Sequence, residues 1–171
     1  MSDVPKYYGK YRATVLNNLD PQNQGRIMVQ LGDIYGPFPS SWAQPSFPFA
    51  AKGMAGMVAL PQIGSAVWVE FEAGDPDYPI WSGAFYPDPA GFPVLALAGA
   101  TPATPNIHFQ TTTGTSVTLS DNPAQQVLIR TVANAMIMIG ATGVMITNGQ
   151  GASIQLAGPS VIINNGALTI T

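Results

Sequence analysis

The stretch from Ile137 to Ile154 reads IMIGATGVMITNGQGASI, and its pattern decides the fold of the C-terminal third of the chain. Apolar residues stand two positions apart, at 137 and 139 and again at 144 and 146, and small or polar residues separate the pairs. Residues two positions apart in a β-strand point to the same face, so both side chains of a pair lie on one face. Because Gly and Asn tolerate the left-handed backbone of tight corners, each repeat predicts one short strand and one corner.

The same pattern extends through eight repeats, from Ile107 to the end of the chain. One strand per repeat supplies only one side of a helix with a triangular cross-section, and three chains supply all three sides. The sequence therefore predicts that three copies wind into an intertwined triple-stranded β-helix. Successive pairs are ten residues apart at first and mostly seven toward the end, which predicts a needle that thins toward Thr171. Eight strand levels at about 4.8 Å predict a length on the order of 40 Å. The expected trimer core is Val117, Leu119, Val127, Ile129, Ile137, Ile139, Val144, Ile146, Ile154, Leu156, Val161, Ile163, Leu168 and Ile170.

The composition excludes several classes of protein. The six Lys and Arg residues are scattered and the net charge is −3, which argues against a nucleic-acid partner. The chain has no cysteine, so disulfides and thiolate metal sites are excluded. No apolar run is long enough for a transmembrane helix, and the N-terminal residues Met1–Lys6 lack the apolar core of a signal peptide, so assembly in the cytoplasm is expected.

Residues 1–86 predict a second fold, a small barrel. Alternating apolar residues predict five short strands, the third of them from Gly56 to Leu60, and no helix. Five strands of this kind favour an OB-fold barrel, so the chain is expected to be all-β. Residues 87–106 are rich in Pro, Ala and Gly and predict a semi-rigid linker, whose Val94–Leu97 run is expected to pack on a neighbouring chain or domain. The needle then occupies residues 107–171.

A loop rich in aromatics and prolines, residues 36–49, joins the second and third predicted strands. One interpretation is a plug that closes the end of the barrel with Trp42 and Phe47. The other is a docking surface, because rigid aromatic side chains bind at low entropic cost. The candidate docking residues are Phe38, Trp42, Phe47 and Trp68.

No active site is expected from the residues present, and neither a cofactor, a bound metal nor a small-molecule substrate is predicted. His108 is the single histidine, so a His-based triad or a site with several His ligands does not fit within one chain. One interpretation is that three copies place three His108 side chains near an axis, where they bind a metal or an anion, but an ordinary strand residue is the favoured interpretation. The carboxylate pairs Glu70 with Glu72 and Asp75 with Asp77 are typical of a solvated strand face and of a turn.

Several motifs of the barrel resemble the OB domain of contractile-tail spike proteins, the phage baseplate assembly protein V and VgrG families. They are Gly25-Arg26-Ile27-Met28-Val29, Trp42-Ala43, Gly53 with Gly56, the run from Pro61 to Ile80 with its Val69-Glu70-Phe71-Glu72-Ala73-Gly74-Asp75-Pro76 string, and Gly83. The repeat after Ile107 is similar to the trimeric β-helical spike of the same proteins. The resemblance covers nearly the whole chain.

The resemblance implies a homotrimer in a virion tail baseplate or contractile injection particle. It implies that the OB domain seats the trimer on a separate hub protein at the end of the tail tube, and that the needle enters the target cell envelope when the sheath contracts. Some relatives carry a lysozyme domain where only the linker stands here, and some end in a His-x-His apex that is absent from residues 164–171. We therefore expect a separate tip protein of the PAAR-repeat type. A trimeric adhesin or tail-fibre fragment is the main alternative, and an OB-fold enzyme or carbohydrate module the weaker one.

Overall fold

A computed structural model describes residues 5–170, and these divide into two compact units. The first unit runs to Gly91 and the second begins at Phe92. Two predictions, the absence of a signal peptide at the N-terminus and the far end of the needle at Thr171, concern positions 1–4 and 171, outside the described residues. Among residues 5–170, no helix has the length and apolar character needed to cross a bilayer.

The first unit is a small, strongly bent sheet. The strands of this unit are β1 Tyr11–Asn17, β2 Met28–Gln30, β3 Gln44–Pro45, β4 Ala50–Ala51, β5 Ala55–Gly56, β6 Ala66–Phe71 and β7 Pro79–Ala84. The sheet order is β2-β1-β6-β7-β3, antiparallel except for the parallel pair β3–β7, and β4 and β5 form a separate hairpin. Among the described residues of this unit, helical structure is limited to single turns, including the four-residue helix α1, Gly32–Tyr35.

The period-2 pattern forms the core of this unit as expected. Ala13 and Val15 of β1, Val67, Val69 and Phe71 of β6, and Trp81 of β7 are all buried, whereas their neighbours along each strand are more exposed. The two edges of the sheet approach each other because Ile27 and Ala43 exchange backbone hydrogen bonds of 2.8 and 3.2 Å. The chain is therefore all-β with an OB-like barrel at its N-terminal end, as the sequence predicts.

The third barrel strand is not the one predicted. Of the predicted segment Gly56–Leu60, only Gly56 belongs to a strand, β5, and the rest lies exposed beyond it. Val58, Ala59 and Leu60 make no backbone hydrogen bond to another described residue. Gln44–Pro45 takes the barrel position instead, beside β7. Proline hides this strand from sequence analysis because it cannot donate to a ladder, yet it is tolerated at a sheet edge.

The second unit is an eight-stranded antiparallel meander in which every strand pairs with the next one along the chain. Its registers join Val117 to Ile129, Ile129 to Ile137 and Ile137 to Ile146, so the predicted apolar residues share one face. The strands are β8 Ile107–Gln110, β9 Ser116–Leu119, β10 Val127–Arg130, β11 Met136–Gly140, β12 Gly143–Thr147, β13 Ser153–Ala157, β14 Ser160–Ile163 and β15 Leu168–Ile170.

The winding of this unit differs from the sequence-based expectation. In the predicted intertwined β-helix, strand edges pair between chains, but here hydrogen bonds within one chain already pair them, apart from the outer edges of β8 and β15. The shortening of the repeat also lies in the turns rather than in the strands. The turn between β11 and β12 has two residues and that between β9 and β10 has seven, while β8 to β14 keep four or five residues each. Strand length therefore gives no thinning before β15.

The Pro/Ala/Gly-rich segment is partly ordered by local contacts. Residues Val94–Leu97 form a 3-10 turn, and Asn106 Nδ2 donates to the carbonyl oxygens of Ala96 and Ala98 at 3.2 and 2.9 Å. These bonds tie the segment to the start of β8, so residues 92–106 belong to the second unit. Val94 and Leu97 are exposed, and their packing on a neighbour stays a prediction.

Candidate functional site

The candidate site is the apolar face of the C-terminal sheet. All fourteen predicted core residues, from Val117 to Ile170, lie on this face by the strand registers. These residues share one face because side chains alternate along a strand, so that every second side chain points to the same side. In the single chain most of them remain exposed to solvent. A sheet with one continuous, uncharged apolar face exposed is typical of a surface that another chain covers.

In strand β9 the apolar side chains are more exposed than the polar ones, the reverse of the usual pattern. Val117 and Leu119 are 37% and 42% exposed, whereas Ser116 and Thr118 on the other face are 3% and 4% exposed. A self-sufficient domain buries its apolar residues and leaves its small polar residues in water. The single chain does the reverse here, so its apolar face has no covering layer of its own.

The second face of the sheet is not uniformly polar. In its centre Leu128 is buried, and Met136, Met138 and Met145 are half-buried. A near-continuous apolar run, such as Met136–Ile139, is the sequence signal of a strand with apolar contacts on both faces. This signal was available but was masked by the stronger alternation of Ile and Val.

His108 does not face the predicted trimer axis. It lies on the face opposite Ile107 and Phe109, where its Nδ1 is 2.8 Å from Thr118 Oγ1 and its Nε2 is 3.1 Å from Gln110 Oε1. Both ring nitrogens are therefore engaged within the chain. No group of three or more His, Asp or Glu side chains among residues 5–170 is placed to hold a metal ion. The favoured interpretation, an ordinary strand residue, agrees with this geometry.

The four candidate docking residues of the barrel occupy different environments. Phe38 is 70% exposed and free to contact a partner chain. Trp42 is half-buried beneath the Arg26 guanidinium, and Trp68 packs on Phe85 with the Arg12 guanidinium over its ring. Phe47 packs edge-on against the buried Trp81, with ring centroids 5.6 Å apart. The plug interpretation therefore fits Phe47, and the docking interpretation fits Phe38 best.

The carboxylate pairs serve local structure. Glu70 forms an ion pair of 3.1 Å with Lys10. Asp75 accepts from Lys6 Nζ at 3.2 Å and from the Asp77 backbone N–H at 3.1 Å. The Asp77 N–H, followed by Lys6, lowers the pKa of Asp75. Glu70 and Asp75 are thus committed to neighbouring residues, as expected for a solvated strand face and a turn.

Sequence analysis missed an ion pair at the turn after β1. The Asp20 carboxylate accepts from Arg26 Nη2 at 2.7 Å and from the backbone N–H groups of Gln22, Gln24 and Arg26. The hydrogen bond from the Arg26 side chain is the main cause that holds the pKa of Asp20 far below its usual range, and those backbone N–H groups lower it further. The sequence predicts the turn itself, but a pairing six residues apart across an irregular loop has no periodic signature.

Replacing Asp20 by asparagine is expected to lower the melting temperature of the barrel by several degrees at pH 7. Because folding lowers the pKa of Asp20, its stabilising effect is complete above the ordinary aspartate pKa of about 3.9 and is lost as the pH falls below it. The difference in melting temperature between the wild type and Asp20→Asn should therefore shrink toward pH 2. Tryptophan fluorescence measures this unfolding selectively, since Trp42, Trp68 and Trp81 all lie in the first unit.

The matched control is Asp33→Asn, because the exposed Asp33 carboxylate makes no hydrogen bond or ion pair with another described residue. This variant is expected to melt like the wild type. A gap for Asp20→Asn that stays constant from pH 7 to pH 2 would contradict the assigned role of the ion pair.

Two domain families match the chain. The type VI secretion system/phage-baseplate injector OB domain matches residues 11–86, and the phage baseplate V C-terminal trimerisation domain matches residues 106–169. No protein with a curated description matches the chain. The first match coincides with the barrel, and the second coincides with the meander and its exposed apolar face. Together they cover more than three quarters of the sequence, and both place the chain in the baseplate of a phage tail or injection particle. The chain therefore belongs to the baseplate V/VgrG-like family of spike proteins, which are structural components of the baseplate.

Proposed function

We propose that three copies of this chain form a rigid needle, seated by their OB domains on a hub protein at the end of the tail tube, and that sheath contraction drives the needle into the target cell envelope. The observation that carries the proposal is the apolar face of residues 117–170, exposed in one chain and located in a domain that matches a trimerisation family.

Three sheets that bring these faces together on one axis form a closed three-sided prism. Side chains that are about 40% exposed in the single chain, such as Ile139 and Leu156, then lose contact with water. Each contributes on the order of 1 kcal/mol at about 25 cal/mol per Å² of apolar surface. With ten exposed residues of this kind per copy, the association is strong and the prism has no free apolar face on its axis.

Two features suit the second unit to a stiff needle that enters an apolar layer. Its eight strands form one uninterrupted ladder, so a bend requires several backbone hydrogen bonds to break together. Residues 131–170 carry no charged side chain, so no ionised group has to leave water when this part enters an apolar layer.

The two ends of the trimer are suited to different partners. On the barrel, the exposed Phe38 is the best placed of the predicted docking residues to contact the hub, and Trp42 and Trp68 offer partly exposed ring surface. At the other end, β15 is an edge strand whose outer backbone groups have no partner within residues 5–170. We propose that a tip protein of the PAAR type covers this edge, since exposed strand edges invite pairing.

Complementation of particles that lack the chain tests this function. Full-length protein should restore contraction-dependent permeabilisation of target cells, and a version that ends at Gly91 should not. The truncated barrel keeps the first compact unit, so its failure isolates the needle. Particles that permeabilise cells equally well with the truncated chain would overturn the proposal.

The same particles distinguish an adhesin from a puncturing needle. If the second unit binds a surface receptor, particles with the truncated chain should fail to attach to cells at all. If it punctures, they should attach normally and contract without permeabilising the envelope. Counting attached particles before contraction separates the two outcomes.

A further inference from the structure

The most exposed apolar segment of the barrel is a thirteen-residue arm, Pro48–Leu60, in which every residue is exposed. The arm contains the hairpin β4–β5 and a tail, residues 58–60, that makes no backbone hydrogen bond to another residue among 5–170. Its large side chains are apolar except for Lys52, its one charged residue. A two-stranded hairpin is marginally stable alone, and exposed apolar surface of this kind marks an interaction site.

The tip of the arm carries a second sign of an interface. Met54 is fully exposed and has a φ of +66°, in the left-handed region. Glycine, which already stands beside it at Gly53, occupies this region without steric cost, whereas methionine does not. Because the Met54 side chain is fully exposed, it is not packed against any other residue in the described part of the chain, residues 5–170.

An apolar cavity of about 430 Å³ lies between the tail of the arm and the turn after β1, and it provides a depression for an apolar side chain. Leu19, Phe47, Val58 and Leu60 supply its apolar lining. Gly25 forms part of the wall, where a Cβ atom would lie 2.8 Å from the Phe47 ring. The one charged group at the rim is Asp20, which Arg26 already neutralises, so the cavity suits an uncharged, flexible side chain such as methionine.

A ring of three identical chains needs this kind of complementarity. Away from a threefold axis, a contact between neighbouring copies joins one surface of one copy to a different surface of the next. The arm tip at Met54 and the cavity are two such surfaces. We propose that the tip of the arm, residues 52–54, packs on the barrel of the next copy, with Met54 seated in that copy's cavity beside Leu19 and Phe47. This inference rests on the homotrimer that the proposed function requires.

Cysteine cross-linking tests the contact directly, because the chain contains no cysteine of its own. The full-length double variant Met54→Cys with Leu19→Cys should, after mild oxidation, run as covalent dimers and trimers on a non-reducing gel. The matched control pairs Met54→Cys with Asp33→Cys, an exposed position outside the cavity, and should stay uncross-linked. Light scattering on the same samples measures the mass of the assembly.

A trimer by light scattering whose Met54–Leu19 pair gives no more cross-linking than the control would overturn this inference and leave the proposed needle intact. A monomer by light scattering would count against the proposed function instead. If the double variant fails to fold, thiol labelling of the single variant Met54→Cys tests the contact instead. Its labelling should be several-fold slower than that of Asp33→Cys in the trimer, and equal rates would show that the arm tip is uncovered.

Discussion

Replacing Ile137 by lysine is expected to leave the chain monomeric. Ile137 lies in β11 on the apolar face, between Ile129 and Ile146 of the neighbouring strands. It is 38% exposed in the single chain, so one chain accommodates a lysine there with its charged end in water. In the trimer, however, three lysines would meet at the apolar axis. Burial of an unpaired charge costs several kcal/mol, and each 1.4 kcal/mol is about a tenfold loss in association.

The control for this prediction is Gln155→Lys. Gln155 is exposed on the opposite face of the same sheet, so the variant adds the same charge away from the expected interface. Light scattering should give the mass of three 17.9 kDa chains for the wild type and for Gln155→Lys, and of one chain for Ile137→Lys. A trimer that survives Ile137→Lys would show that the fourteen-residue face is not the interface.

Replacing Gly143 by alanine is expected to be the most damaging conservative change in the second unit. Gly143 begins β12 directly after the two-residue turn, with a φ of +135°, and a Cβ atom there would overlap the carbonyl oxygen of Leu156. That oxygen is part of the backbone, so no rotation of a side chain relieves the overlap. The strands β12 and β13 must separate, and we expect a loss above about 4 kcal/mol, at the extreme end for single substitutions.

The control for this prediction is Gly151→Ala, since Gly151 also has a positive φ, +103°, but a Cβ atom there meets open space. It isolates the cost of the left-handed backbone alone, about 1–2 kcal/mol. Thermal unfolding followed by far-ultraviolet circular dichroism, at one fixed protein concentration, compares the two variants. Equal losses of stability for Gly143→Ala and Gly151→Ala would contradict the close contact between β12 and β13.

These two predictions depend on different levels of information. The importance of Ile137 follows from its position in the repeat, which sequence analysis identifies without a structure. The importance of Gly143 depends on its approach to Leu156, a residue in the next strand, and the sequence shows only that a glycine stands at a corner. The same holds for Asp20 and Arg26, whose residue types are evident but whose pairing is not.

The sequence by itself determined the two all-β domains, the residues of the barrel core in β1, β2 and β6, and the shared apolar face of the second unit. Each of these depends on side-chain alternation along a single strand, which the chain carries locally. Only the tertiary structure decided which segments pair. It placed Gln44–Pro45 rather than Gly56–Leu60 in the barrel, and it paired the eight C-terminal strands within one chain. Pairing joins residues far apart in sequence, and its energy comes from contacts that no local pattern specifies.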